Sequence, residues 1–116
     1  MEPLLLVEDK NELRAMLRKA LERNGFSVDE APDGSAAIQK LRSRRYQLVI
    51  TDLKMPGAID GLDLVEWLQC ALPAMPVIVT TGYHSLRTQV NGLPVFEKPY
   101  RFDRLVDRVC EMLNPP

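Results

Sequence analysis

The sequence predicts one α/β domain, a five-stranded parallel sheet with helices on both faces. Three observations predict it. Four short, continuous apolar runs and a fifth, more polar one recur along the 116 residues, as strands buried on both faces require. Between them lie stretches with apolar residues three and four apart, the spacing of amphipathic helices. Acids, hydroxyls and a lysine follow the apolar runs instead of scattering through the chain. Strand–helix alternation of this kind folds as a parallel sheet with right-handed crossovers. The length suits one core, so residues 1–116 form a single predicted domain.

Residues 3–7 (PLLLV) are the first strand. Leu13, Met16, Leu17, Ala20 and Leu21 then share a helical face, and Gly25 stands where a helix end needs a positive φ. Residues 26–31 (FSVDEA) form a more polar strand suited to a sheet edge. After Asp33-Gly34, a turn or cap, Ala37, Ile38 and Leu41 mark the second helix. Residues 47–50 (QLVI) are the third strand. Leu64, Val65 and Leu68 mark the third helix, with Asp60 as its N-cap. Residues 76–80 (PVIVT) are the fourth strand, and the polar segment 83–91, with Leu86 and Val90, predicts a short or mobile fourth helix. Residues 94–96 (PVF) are the fifth strand, and Phe102, Leu105, Val106, Val109 and Leu113 the face of a fifth helix.

Composition narrows the function. A net charge of -1 leaves no electrostatic footprint for nucleic acid or an anionic membrane. Arg42, Arg44 and Arg45 read as a solvated helix end. Cys70 and Cys110 lack ligand or disulfide spacing and are expected as free, core-facing thiols in a reducing, cytoplasmic setting. The apolar run after Pro3 is too short for a signal peptide, and nothing approaches a membrane span. His84 has no acid or cysteine at ligand spacing and reads as a surface residue. Trp67 reads as packing on the third helix.

The chemistry gathers at one sheet edge. Glu8-Asp9 follow the first strand, Asp52 the third, Thr80-Thr81 the fourth and Lys98-Pro99 the fifth. Ligands of open α/β sheets bind at the C-terminal ends of the strands, where strand order reverses. In a 2-1-3-4-5 order the reversal lies between strands one and three, so three carboxylates meet there. Together they repel, and a hard cation such as Mg²⁺, or Mn²⁺, relieves the repulsion. Lys98, the Thr81 hydroxyl and amides near Lys54 suit phosphoryl oxygens. Neither GxxxxGK[ST] nor GxGxxG is present, so the phosphoryl group is expected on the protein, with Asp52 as nucleophile.

The stretches "LLLVED", "LVITDLKMPG" with the later "DG", "PVIVTTG" and "EKPY" stand in order at matching strand ends. Together they resemble a response regulator receiver domain of two-component signalling, over essentially the whole chain. The resemblance implies a flavodoxin-like (βα)5 fold. It also implies Asp52 as phosphoacceptor, with Asp9, Asp52 and the Lys54 backbone carbonyl as Mg²⁺ ligands and Glu8 acting mainly through water. Thr81 would be the switch hydroxyl, Lys98 the partner of the phosphoryl group, and Lys98-Pro99 a cis bond. Such a chain is a phosphoacceptor that takes part in its own phosphorylation, not an enzyme with a separate substrate.

The sequence departs from the family pattern in three places. One extra residue lies between Pro56 and Asp60-Gly61. Val95 occupies the position where the family carries an aromatic switch residue, and Tyr83 and Phe96 are the candidate substitutes. Lys98 follows Thr81 by 17 positions, a short interval that fits the thin fourth helix and resembles single-domain regulators and receivers fused to hybrid histidine kinases. Expected partners are a histidine kinase or phosphotransfer protein upstream and a protein partner or fused domain downstream. Neither nucleic acid nor membrane is expected as a direct partner, and the chain is expected as a monomer or weak homodimer. The switched surface would comprise the fourth helix, fifth strand and fifth helix, with Lys54 and Tyr83 tuning water access. The alternative is a phosphorylation-independent interaction module of the same fold. An aspartyl hydrolase would need an acid two residues after Asp52, where Lys54 stands.

Overall fold

The computed structural model describes residues 2–82, 90 and 92–114. Its strands are β1 (Leu4–Val7), β2 (Val28–Ala31), β3 (Leu48–Asp52), β4 (Val77–Thr81) and β5 (Val95–Glu97). Its helices are α1 (Asn11–Arg23), α2 (Gly34–Ser43), α3 (Gly61–Ala71) and α4 (Phe102–Leu113). The last is the fifth helix expected from sequence; the expected fourth, over 83–91, lies outside the described residues apart from Val90. All neighbouring strands pair in parallel, in the order β2-β1-β3-β4-β5. This is the five-stranded flavodoxin-like sheet, with the polar strand β2 at an edge.

Strand alternation divides the core into two layers. Leu4 and Leu6 of β1, Leu48 and Ile50 of β3 and Ile78 of β4 pack with Leu17 and Leu21 of α1 and Leu105, Val106 and Val109 of α4. Leu5, Val7, Val49, Val77 and Val79 face the other way, onto Ala37, Ile38 and Leu41 of α2 and Leu64, Val65 and Leu68 of α3. β1, β3 and β4 are buried throughout, so sequence alone showed no alternation in them.

Caps place the helices. Asp33 accepts the Ala36 N–H at 2.8 Å at the start of α2. Asp60 and Asp63 exchange side-chain and backbone bonds in a capping box at the start of α3. Gly25 takes φ +90° just past α1, as its position predicts. Trp67 is half-buried against the α2–α3 layer, with the Arg42 guanidinium 6.0 Å from its ring centre. Arg42, Arg44 and Arg45 are exposed, and Arg44 pairs with Asp29 at 2.8 Å.

Two expectations are corrected. Of the two thiols only one faces the core: Cys110 is half-buried against the α1–α4 layer, whereas Cys70 is exposed. Cys70 lies off the Leu64–Val65–Leu68 stripe by which α3 is buried, on its solvent side. Met16, expected on the inner face of α1, is 56% exposed because that face narrows to Leu17 and Leu21.

Candidate functional site

Both acidic stretches end their strands at the reversal of strand order. The apolar residues of β3 run directly into Asp52, which is the last residue of the strand and 5% exposed. Glu8 follows β1 and is 3% exposed, held in line by its N–H bond to the Ala31 carbonyl of β2 at 3.1 Å. Asp9 is half-buried beside it. Glu8, Asp9 and Asp52 offer carboxylate oxygens that all lie within 4.8 Å of one another.

Lys98 ties this group together. It follows β5, and its N–H reaches the Thr81 carbonyl at 2.8 Å. Its Nζ donates to Asp52 Oδ2 at 2.7 Å and Glu8 Oε1 at 2.8 Å. The other oxygen of each acid takes a backbone amide: Asp52 Oδ1 that of Lys54 at 3.2 Å, and Glu8 Oε2 that of Lys10 at 3.1 Å. Desolvation pushes the Glu8 carboxyl above its ordinary pKa, although the bonds from Lys98 and Lys10 pull against it. For Lys98 burial alone would lower the pKa. The bonds to Asp52 and Glu8 outweigh it and hold the ammonium above its ordinary value. Tyr100 is raised too, first by burial and then by the charges of Glu8 and Asp52.

The acids open into a cleft of about 350 Å³ lined by Asp9, Asp52, Lys54, Met55, Gly82 and Lys98, among others. Glu8 lies below this lining. A groove between α1 and α4, lined by Met16, Lys19, Phe102 and Val106 among others, includes Asp103 and Asp107 but no cluster of three acids among the described residues.

The structure thus brings together Glu8, Asp9, Asp52, Lys54 and Lys98. Thr81 is fully buried at the end of β4, in register with Glu97. Tyr83 and His84 lie outside the described residues. The Lys98-Pro99 bond is cis. Val95 packs into the α2–α3 layer, whereas the next residue, Phe96, packs into the α1–α4 layer. There Phe96 lies edge-on to Tyr100, with ring centres 6.2 Å apart. Strand alternation therefore keeps Phe96 off the face where Val95 and Val79 lie, and it does not replace an aromatic there.

Sequence reasoning missed Arg14. Its Nη1 donates to the Glu8 carbonyl at 2.7 Å, and its Nε reaches Glu30 Oε1 at 3.3 Å. A basic residue early in an amphipathic helix carries no signal of such a contact.

The family model for the response regulator receiver domain matches residues 4–109. The chain belongs to the response regulator receiver family. As a receiver it is a phosphoacceptor in class, not an enzyme turning over a separate substrate. It is similar to the transcriptional regulatory protein TctD of Salmonella typhimurium, 39% identical over 116 aligned positions, which cover 96% of this chain and 51% of that protein. It is 32% identical to the response regulator MprA of Mycolicibacterium vanbaalenii, over 96% of this chain and 50% of that one. The receiver thus spans about half the length of these relatives. The solved response regulator TrrA of Thermotoga maritima, in complex with Mg²⁺-BeF, superposes with a TM-score of 0.87 at 30% identity, over 97% of this chain and 100% of that one. The NtrX receiver domain of Brucella abortus superposes at 0.88 and 25% identity, over 97% and 99%. Among the described residues no helix is long and apolar enough to cross a membrane.

Proposed function

We propose that Asp52 is the phosphoacceptor of this receiver and takes its phosphoryl group from a phosphohistidine on a histidine kinase or phosphotransfer protein. The observation that carries this is the Lys98 ammonium, shared between Asp52 Oδ2 and Glu8 Oε1 beside Asp9. A carboxylate oxygen of Asp52 attacks phosphorus in line with the phosphorus–nitrogen bond. That bond breaks, and the imidazole nitrogen leaves with its electron pair. The buried end of β3 holds the nucleophile still, and the cleft admits the donor from one side.

Three carboxylates with oxygen atoms so close form an all-oxygen donor set, which suits Mg²⁺ or Mn²⁺. Asp9 and Asp52, with the Lys54 carbonyl, would hold the ion, and Glu8 would act through water. Bound there, the cation supplies neutralising charge for the incoming phosphoryl group. Lys98 keeps one phosphoryl oxygen paired, and the Lys54 amide already points at Asp52. The Thr81 hydroxyl turns towards the phosphoryl group and so biases the chain after β4. This surface, with β5 and α4, then meets a downstream protein or fused domain. Lys54, which lines the cleft, tunes water access, and Tyr83, two residues after Thr81 in sequence, is the second tuning candidate. The receiver unit extends over residues 1–116.

Incubation with acetyl phosphate and Mg²⁺ tests this reading. An acid-stable, hydroxylamine-labile mass increase is expected on the wild type and not on Asp52→Ala. A wild type that takes no label leaves the phosphorylation-independent module as the better account.

A further inference from the structure

We infer that Arg14 is a positioning residue for the acidic pair, acting through the Glu8–Asp9 peptide and not on any ligand. The inference rests on the proposed reading of that pair as part of a cation site.

Arg14 lies in the first turns of α1 with its side chain only 17% exposed. Each of its three nitrogens is committed to a different segment. Nη1 donates to the Glu8 carbonyl at 2.7 Å, Nη2 to Asn11 Oδ1 at 2.8 Å, and Nε to Glu30 Oε1 at 3.3 Å. A guanidinium is a rigid planar fork. Asn11 at the start of α1 and Glu30 on β2 therefore fix its plane, and the plane fixes the carbonyl.

That carbonyl belongs to the peptide joining Glu8 to Asp9. With the Glu8 N–H held by Ala31 of β2, both ends of the Glu8 backbone are gripped. The grip is needed at this point. Past Val7 the chain leaves the sheet, and two adjacent acids that repel each other would otherwise turn towards solvent. Lys10, the N-cap of α1, makes no side-chain capping bond that could hold the turn. Lys98 steadies the Glu8 carboxylate from one side, and Arg14 supplies a cation on the backbone side. An ion pair with Glu30 alone does not account for the arrangement, because that contact is the longest of the three and the carbonyl bond the shortest.

Calorimetric titration with Mg²⁺, alongside unfolding in EDTA, separates positioning from general stability. Arg14→Met is expected to weaken Mg²⁺ binding about tenfold, as loss of a group that orients metal ligands does. Arg14→Lys, with one ammonium for three partners, is expected to recover part of the loss. Arg44→Met breaks the 2.8 Å pair with Asp29, which strand alternation puts on the other face of β2 from Glu30, and is expected to leave Mg²⁺ affinity unchanged whatever it costs in stability. Unchanged affinity in a folded Arg14→Met chain, or an equal loss in Arg44→Met, overturns the inference. Should Arg14→Met fail to fold, Glu30→Gln, which loosens the guanidinium on one side, is expected to weaken Mg²⁺ binding in the same direction. No change there overturns the inference too. A wild type that binds no Mg²⁺ overturns the cation site itself, and with it this role for Arg14.

Discussion

The backbone of Asp52 lies directly against Gly61: a β-carbon built on Gly61 would stand 1.7 Å from the Asp52 carbonyl oxygen. Gly61 is the first residue of α3, so this helix begins flush against the end of β3. The need here is for space, since the intruding atom would meet backbone on both Asp52 and Leu53.

Gly61→Ala is therefore expected to destabilise the chain by about 3 kcal/mol, the upper end of ordinary overpacking, because backbone cannot yield as a side chain does. It should also slow labelling of Asp52 by moving the end of β3. Gly25→Ala is the comparison, with open space around it and only a positive φ to oppose it. It should cost about 1 kcal/mol and leave labelling intact. Urea midpoints measure both, and equal losses would contradict the packing argument.

Lys98→Met removes the cation that Glu8 and Asp52 share. Leaving buried acids uncompensated is expected to cost about 3 kcal/mol at neutral pH. The sign of the pH dependence follows from the raised Glu8 pKa. The folded chain holds the Glu8 proton more tightly than the unfolded chain, so this group's stabilisation is complete below the unfolded pKa. It is lost as pH rises through the folded value. Without Lys98 the Glu8 pKa rises further, and the deficit of Lys98→Met should shrink as the pH falls through the carboxyl range. In the wild type the raised Lys98 pKa gives stability that is full below its ordinary value and lost only as alkaline pH passes the folded one. Unfolding of both chains across pH checks this, and a deficit that does not change with pH would count against it.

The fold was legible because burial leaves a repeating mark. The apolar faces of α2, α3 and the C-terminal helix emerged as the spacing of Ile38, Leu64 or Val109 predicts. Strand ends were less visible. Asp52 and Thr81 complete β3 and β4, yet a polar residue ends an apolar run, so both seemed to lie beyond their strands. Their place at one edge was nevertheless readable, because strand direction alone brings Glu8, Asp52 and Lys98 together. What escaped depends on three-dimensional partners. Met16 falls on the right spacing, but the groove beside Phe102 leaves it exposed. Arg14 gains its part from residues 8, 11 and 30, a combination no local pattern encodes. Phe96 is one position from Val95, and that single step puts it on the other face of the sheet.

The thiols differ in access, so alkylation of the native chain should distinguish them. Cys70 is exposed on α3 and should react with iodoacetamide at close to the rate of the unfolded chain. Cys110, half-buried in the α1–α4 layer, should react more slowly, and the difference should vanish in denaturant. Peptide mass mapping over time reads both rates. Equal protection of the two would place α3 differently from the packing described.

Divalent cations should stabilise the fold, and the three acids should differ in how much of that gain they carry. An ion that binds the folded chain alone adds about 2.7 kcal/mol at a hundredfold excess over its Kd. Both Glu8 oxygens are already engaged, one by Lys98 and one by the Lys10 amide, and Glu8 lies below the cleft lining. Asp9 lines the cleft. Asp9→Asn should therefore abolish most of the Mg²⁺-dependent rise in the unfolding midpoint, whereas Glu8→Gln should retain a measurable part of it. Glu8→Gln should also raise stability in EDTA relative to Lys98→Met, since it removes a buried acid instead of its counter-charge. Unfolding of each variant in EDTA and in saturating Mg²⁺ decides the order, and a larger Mg²⁺ loss in Glu8→Gln than in Asp9→Asn would reverse the assignment of the two acids.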